Sequence, residues 1–220
     1  MTLHYDGSFE SFLCLIYEVY YKKLRPTNII KQEPKILLID EIFQIEHNEE
    51  NILKVLNSLK TKFKQCHLET ILNTFMCDRE EFELALLEFI IIGFKSQSEL
   101  NNITNQSIFY IQNLQNKLFR AYHKMCGYLR FEEIEDGTLY AKIENKFNLT
   151  PLLGRHFLKR FNNQNYIIHD IKRKIAFVKN GNFANIHTVQ SFDMPIFSPN
   201  EDKFKNLWKT FFESVAIKSR

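Results

Sequence analysis

The spacing of apolar residues changes from helical to strand-like within residues 117–131, and this change constrains the fold more than any other feature. On its N-terminal side apolar residues recur every three or four positions, as on one face of a helix. That stripe comprises Ile108, Ile111, Leu114, Leu118, Tyr122 and Met125. From Tyr128 onward apolar and polar residues alternate, which is typical of a strand. We therefore expect a long helix to end near Cys126 and a strand to follow it.

The first part of the chain, 1–126, is expected to be mainly helical. Ser8 is a suitable N-cap for its first helix, and Asp78 with Glu81 three residues later matches a capping box. A short strand is expected at Leu3 to Tyr5, and the apolar run 36–39 fits either a strand or a helix. The helices predicted upstream of the long one are 8–23, 49–62, 68–76 and 78–94.

The second part, 127–220, carries strand patterns and turn signals. Asp136-Gly137 lies between two alternating runs, which is a strong hairpin signal. Thr150-Pro151 predicts an N-cap with proline at the first helical position, and Ser198-Pro199 with Glu201 predicts a closing C-terminal helix. Further strands are expected at 166–169, 175–178 and 184–189. The fold class is α+β: a helical N-terminal part contiguous, as one compact unit, with an antiparallel sheet of hairpins and a closing helix.

The composition narrows the class of function. The net charge of +3 is too small to attract nucleic acid over the whole surface, so binding of this kind requires local clusters of basic residues. The four cysteines are far apart and no signal peptide is recognisable, which indicates a reducing cytoplasm. The most apolar run, 84–94, contains Glu88 and is shorter than a bilayer requires. No membrane span is expected.

The familiar cofactor and metal motifs are absent. The sequence has no cysteine triple for an iron–sulfur cluster, no glycine-rich phosphate loop and no nucleophile elbow, so no cofactor is expected. Cys66-His67 with Cys77 lacks a fourth ligand, and no metal site is predicted. Asp136 with Glu144-x-Lys146 resembles a nuclease metal motif, but Asp136 belongs to the hairpin turn, where it is badly placed for coordination.

Basic and aromatic residues give the most coherent functional signal. Guanidinium groups suit phosphate because they can donate two hydrogen bonds at once, and a tyrosine ring can stack on a base. If the long helix and the helix after Thr150 lie side by side, their basic residues form one cationic surface; the alternative is an ordinary solvated face on each helix. The candidate nucleic-acid contacts are Lys117, Arg120, Lys124, Tyr128, Arg130, Arg155, Lys159 and Arg160.

Histidines are the candidates for acid/base catalysis. His123 and His156 lie among the basic residues, where Lys124 or Arg155 could hold a phosphate or an oxyanion. His169-Asp170 is a further acid/base combination, but adjacent residues of a strand point to opposite faces, so the two side chains are not expected to meet.

Four segments of the chain carry a family resemblance. They are YDGSFESFLCLIYEVYYKK, RAYHKMCGYLRF, PLLGRHFLKRF with YIIHDIKRKIAFV, and LWKTFFESVAIKSR. Together they resemble a bacterial family of DNA repair or DNA metabolism proteins. Members are encoded beside a radical-SAM protein, and in some the domain is fused to a uracil-DNA glycosylase-type domain. The motif positions shared with the family are Arg120, His123, Lys124, Gly127, Arg130, Phe131, Arg155, His156 and Phe157.

The resemblance implies DNA, the radical-SAM protein and a uracil-DNA glycosylase-type protein as partners. The expected function is that of a DNA-binding accessory protein, acting with a radical-SAM enzyme in DNA repair or base modification. Two alternatives stay open: a DNA-processing enzyme in its own right, by acid/base or metal-assisted chemistry, and a protein-interaction scaffold for the radical-SAM partner.

Overall fold

The computed structural model describes residues 1–31, 42–190 and Ile196. The chain divides into two compact units, Met1–Phe119 and Arg120–Arg220, and the boundary lies within one long helix. The sequence pattern placed a boundary at residue 126, near the end of the same helix. The run 36–39 and the expected closing helix from Ser198 lie outside the described residues.

The described residues form an α+β protein, as the sequence predicted, with strands concentrated in the second half. Helices are α1 (Phe9–Tyr21), α2 (Glu49–Lys62), α3 (Gln65–Phe75), α4 (Glu83–Lys95), α5 (Gln106–Tyr128) and α6 (Thr150–Arg160), with a 3-10 helix at Gln97–Asn101. Strands are β1 (Thr2–His4), β2 (Asn28–Ile30), β3 (Ile42–Gln44), β4 (Glu132–Glu133), β5 (Leu139–Ile143), β6 (Tyr166–Asp170), β7 (Ile175–Asn180) and β8 (Phe183–Thr188). None of the helices in these described ranges is long and apolar enough to span a bilayer.

The first unit contains a small parallel sheet that the sequence only partly predicted. Its strand order is β2-β1-β3, so β1 lies between two parallel neighbours. Helix α1 connects β1 to β2 and begins as expected, because the Ser8 hydroxyl accepts a hydrogen bond from the Ser11 amide at 3.1 Å. The strands have three residues each, which is too short for a period to show in the sequence.

The predicted capping box at Asp78 and Glu81 is wrong. Helix α4 begins at Glu83, its N-cap is Phe82, and no side chain caps it. The buried Glu83 carboxylate instead accepts hydrogen bonds from the Tyr5 hydroxyl at 2.9 Å and from the Phe82 amide at 3.0 Å. Lys31 completes this cluster with an ion pair of 2.6 Å to Glu83. Because Phe82 and Glu83 are buried in this cluster, the helix begins at Glu83 and not at the capping signal of Asp78.

The second unit is built on a five-stranded sheet of order β4-β5-β6-β7-β8. The Asp136-Gly137 hairpin between β4 and β5 is present, and β6, β7 and β8 pair antiparallel as expected. The pairing of β5 with β6 is parallel, which corrects the prediction of an entirely antiparallel sheet. The reason is the connection: α6 lies between the two strands in sequence, and a crossover through a helix returns the chain in the same direction.

One face of this sheet packs against α6, and we call it the helix face. It includes Tyr166, Ile168 and Phe177, and the Tyr166 hydroxyl donates to the Gly154 carbonyl at 2.8 Å. A Cβ at Gly154 would lie 2.3 Å from the Phe177 ring, so glycine is what allows this close approach. Thr150 is the first helical residue rather than the N-cap, which is Leu149, so the predicted cap is displaced by one position.

The opposite face of the sheet carries polar residues, and we call it the polar face. Strand alternation and register place Glu132, Tyr140, Lys142 and His169 on it: Glu132 pairs with Tyr140, and Lys142 with His169. The sheet therefore has ionisable groups on the face opposite α6, and two of them, Tyr140 and His169, are buried there.

Candidate nucleic-acid interface

Helix α5 continues past its predicted end and thereby shapes the candidate site. It extends to Tyr128, the Leu129 amide still donates to the Met125 carbonyl at 2.8 Å, and β4 begins only at Glu132. The prediction of a strand from Tyr128 is therefore wrong. Because residues four apart lie on the same side of a helix, the Lys124 ammonium lies 5.9 Å from the centroid of the Tyr128 ring. That ring is 72% exposed.

The last turn of α5 and the polar face of the sheet together form a groove of about 300 Å³. We call it the Tyr128 groove. Its volume is at the lower end of the range of small-ligand sites. Two cationic side chains, one carboxylate and two tyrosines lie along it beside apolar groups. The groove is lined by Met125, Tyr128, Leu129, Arg130, Glu132, Tyr140 and Lys142.

A buried tyrosine–histidine pair lies beside the groove. The Tyr140 hydroxyl and His169 Nδ1 are 2.9 Å apart, and both residues are buried. Burial, with the negative charge of Glu132, raises the pKa of Tyr140 to about 12. Burial also lowers the pKa of His169; Asp170 opposes this effect and Lys142 adds to it. Both shifts favour the uncharged form of the group, so the pair is a hydrogen bond between a neutral tyrosine and a neutral histidine rather than an ion pair.

The two basic helices meet, but not through their basic faces. The Tyr122 hydroxyl lies 3.3 Å from His156 Nδ1 and the two rings are 6.1 Å apart, so α5 touches α6 at this point. Residues two positions apart on a helix are separated by about 200° around its axis. Arg120 and Lys124 therefore lie on the side of α5 that faces away from Tyr122 and from α6. The helices lie side by side, yet their cations do not merge at this contact.

The candidate residues from the sequence thus fall into separate places. The structure brings Lys124, Tyr128 and Arg130 together at the groove. Arg155, Lys159 and Arg160 are exposed on α6, which covers the helix face of the sheet. His123 and Arg120 are exposed on α5, His156 is half-buried against Tyr122, and Lys117 is exposed in the first unit.

The prediction that His169 and Asp170 do not meet is confirmed, and each has another partner. His169 bonds to Tyr140, whereas the fully buried Asp170 carboxylate forms an ion pair of 2.9 Å with Arg173. Phe131, one of the motif positions, is half-buried, and its ring contacts Phe157 and other aromatic rings.

Sequence reasoning did not select Glu132, Tyr140 and Lys142 as site residues, nor His169 as the partner of Tyr140. The signal that could have found them is the alternation within β5 and β6, which places Tyr140 and Lys142 on one face of one strand and His169 on one face of the next. Only the parallel pairing of these strands brings the three side chains to a common surface.

The metal-like patterns in the sequence are engaged in other contacts. Asp136 accepts a hydrogen bond from the Thr138 amide at 2.8 Å, and Glu144 forms an ion pair of 2.9 Å with Lys172. Cys66 is exposed and Cys77 is buried, and neither forms a disulfide. Within residues 1–31 and 42–190 no three histidine, cysteine, aspartate or glutamate side chains are grouped so that they could hold a metal ion.

Comparison with known proteins gives one family. The family model of a domain of unknown function, DUF4130, matches residues 80–220, which include α4, α5 and the whole described sheet of the second unit. The chain matches no curated protein. It also matches no solved structure.

Proposed function

The chain belongs to the DUF4130 family, and we propose that it is a cytoplasmic DNA-binding accessory protein that acts with a radical-SAM enzyme in DNA repair or base modification. The observation that carries the proposal is the Tyr128 groove, where an exposed aromatic ring with Lys124 beside it shares the lining with two cationic side chains, Arg130 and Lys142. The link to DNA, to the radical-SAM protein and to a uracil-DNA glycosylase-type protein rests on the sequence resemblance.

The charges of the groove suit the sugar–phosphate backbone. Lys124 lies over Tyr128, and Arg130 and Lys142 line the same groove. Arginine binds phosphate oxygens in pairs, and lysine adds a mobile point charge. The tyrosine ring offers a stacking surface that any base can use. This combination of cations and an exposed ring is typical of proteins that bind single strands.

The test is a titration of labelled single-stranded and double-stranded DNA at two salt concentrations, read by fluorescence anisotropy. We expect binding at low salt that weakens as salt increases, because phosphate contacts release counterions. The double variant Arg130→Ala, Lys142→Ala should bind more weakly and lower the salt slope by about 0.7–0.9 for each phosphate contact that is lost. No binding at low salt would overturn the proposal.

A matched control separates the two basic regions. Lys159→Ala removes an exposed cation from α6, on the helix face of the sheet. We expect this variant to bind DNA like the wild type. An equal loss of affinity in Lys159→Ala and in the groove variant would move the interface away from the Tyr128 groove.

Association with the radical-SAM partner is tested separately. The two proteins are co-expressed and the complex is isolated in high salt, where electrostatic DNA bridging is suppressed. A complex that survives both high salt and the double groove variant indicates a direct protein contact. Complete separation under these conditions would count against the accessory role.

A second candidate function, an enzyme in its own right, is favoured by the Tyr140–His169 pair. A histidine whose lowered pKa keeps it neutral can accept a proton as a general base, and His169 is bonded to Tyr140, which lines the Tyr128 groove. Turnover of damaged and undamaged DNA is measured with and without Mg²⁺ or Mn²⁺. Turnover that is lost in His169→Asn but kept in His123→Ala and His156→Ala supports this role, and unchanged turnover in His169→Asn removes it.

A further inference from the structure

We infer that the edge strand β8 of the second unit pairs antiparallel with β8 of a second copy of this chain, so that two copies form a dimer. The inference does not rest on the proposed DNA binding. It concerns an edge of the sheet that takes no part in the Tyr128 groove.

One side of the β8 backbone has no partner strand. Among the described strands β8 is the last of its sheet and pairs with β7 alone. The Val189 amide donates to the Lys174 carbonyl at 2.7 Å, so every second residue back from Val189 bonds to β7. The residues between them point their backbone groups away from the sheet. They are Ala184, Ile186 and Thr188.

The hydrogen bond of the Ile186 amide confirms this direction. The amide donates at 2.8 Å to Oδ1 of Asn185, a side chain of its own strand, and not to β7. Within residues 1–31 and 42–190 the outward amides of Ala184 and Thr188 have no hydrogen-bond partner. All six residues of β8 are exposed, and Phe183 is 84% exposed. A further strand would therefore displace only one side chain from this edge.

The two edges of the sheet differ in their protection against such pairing. The opposite edge strand, β4, has two residues, both glutamates, and the adjacent Glu135 amide donates to the Ile196 carbonyl at 3.1 Å. Short length, charge and cover by another segment are the usual protections of a sheet edge. Strand β8 is three times as long and contains no lysine, arginine, aspartate, glutamate or proline. Its sequence leaves this edge open to pairing.

The residues of β8 suit pairing with an identical strand. With a two-fold axis at Ile186, this residue lies opposite its own copy and Ala184 lies opposite Thr188 of the second copy, so that outward groups meet outward groups. On the other face Asn185 lies opposite His187 of the second copy, and no acidic or basic side chains of like charge meet. Because the described sheet has one open edge in each copy, this pairing stops at a dimer.

The experiment combines sedimentation velocity of the full chain over a wide range of concentration with hydrogen exchange. Two six-residue strands make a small interface, so we expect a weak dimer, whose apparent mass rises with concentration from 26.4 kDa toward twice that value. The Ala184 and Thr188 amides should exchange about tenfold more slowly once most of the protein is dimeric. The Asn185 and His187 amides, which already face β7, should change much less.

Two variants and one control test the position of the interface. Ile186→Lys places like charges on the two-fold axis and should weaken the dimer about tenfold. Thr188→Pro removes an outward amide hydrogen without removing a bond to β7, and it should weaken the dimer too. Ile171→Lys adds the same charge at an isoleucine of similar exposure, 40% against 37% for Ile186, and should dimerise like the wild type. Urea unfolding confirms that each variant is folded.

The outcomes decide between β8 pairing and its alternatives. A mass of 26.4 kDa at every concentration would overturn the inference, and so would a dimer that both β8 variants leave intact. Equal weakening by Ile171→Lys, or growth beyond two copies, would contradict pairing through this one edge. Slower exchange of the outward amides only when the radical-SAM protein is added would assign the edge to that partner. None of these results decides DNA binding, which the titrations at the Tyr128 groove test.

Discussion

The two faces of the second sheet each bury a tyrosine, and the comparison shows how different the partners of one residue type can be on the two sides of a sheet. On the helix face, Tyr166 donates to a backbone carbonyl, and burial alone raises its pKa to about 12. On the polar face, Tyr140 bonds to a histidine, and both burial and the Glu132 carboxylate raise its pKa to about 12. The first tyrosine has a partner that cannot titrate, whereas the second is surrounded by groups that can. The pKa value alone would not distinguish a structural tyrosine from one beside a candidate site.

The largest expected effect belongs to the end of the helix face. Arg173 pairs with the buried Asp170 carboxylate and donates to the carbonyls of Asn145 and Lys146 at 3.0 and 2.7 Å. Arg173→Ala leaves a buried charge without its counterion, so we expect the free energy of unfolding to fall by about 3 kcal/mol or more. Urea unfolding followed by circular dichroism measures this change.

The neighbouring residue provides the control for that measurement. Lys172 forms an ion pair with Glu144 in which both side chains are about half exposed. Lys172→Ala should change the free energy of unfolding by less than about 1 kcal/mol, because water screens and replaces such a pair. Similar losses in both variants would mean that Asp170 does not depend on Arg173.

The next effect tests how closely α6 packs on the helix face. Gly154→Ala places a methyl group against the Phe177 ring and should destabilise the protein by about 1–3 kcal/mol, measured by urea unfolding. Gly127→Ala is the matched control, because no atom lies within 4 Å of a Cβ built at this exposed position of α5. It should stabilise the protein by up to about 1 kcal/mol. If Gly154→Ala were stabilising too, the contact with Phe177 would be looser than described.

A smaller effect distinguishes the polar face by its pH dependence. The lowered pKa of His169 means that the unfolded chain binds a proton at this residue more readily than the folded protein does. Its contribution to stability is therefore fully present above the unfolded pKa, about 6.5, and is lost as the pH falls toward the folded value. Between pH 7.5 and 5.5 the loss due to His169 is at most about 1.4 kcal/mol. The difference between wild type and His169→Asn isolates it, and identical pH profiles would contradict the lowered pKa.

The smallest effect on stability is expected at the groove itself. Tyr128 is 72% exposed, so Tyr128→Ala should change the free energy of unfolding by less than about 0.5 kcal/mol. The same variant should bind single-stranded DNA more weakly, by roughly 1–3 kcal/mol for one lost stacking contact. A large loss of stability would indicate that the ring supports the fold and that its exposure is not a sign of function.

Local patterns predicted the elements of this fold better than their ends. Helix α2 occupies the predicted residues, and the hairpin at Asp136-Gly137 forms with Gly137 at a φ of +81°, a conformation that glycine adopts freely. The start of α4 was missed because the buried cluster around Glu83 involves Tyr5, 78 residues earlier in sequence. The end of α5 was missed because the four residues from Tyr128 to Phe131 are too few for their apolar spacing to distinguish a helix from a strand.

The sequence predicted several charged residues of the candidate site, but not which strands bring the site together. The sequence identified Lys124, Tyr128 and Arg130, which do lie at one groove. It named His169 only together with Asp170 and could not pair it with Tyr140. The parallel pairing of β5 with β6 results from the crossover through α6, and the alternation of residues within each strand does not reveal it. The basic residues of α6 looked equivalent to those of α5 because helical spacing describes one helix at a time.

The position of β1 in the first unit has a consequence for local unfolding of that unit. Among the described strands β1 comes first in sequence, yet it lies between β2 and β3, and Tyr5 just after it is bonded to Glu83. This strand cannot separate from the unit without breaking both strand pairings and exposing the buried carboxylate of Glu83. The amide hydrogen of Leu3, whose side chain is fully buried, should thus exchange with solvent as slowly as the core of the unit does.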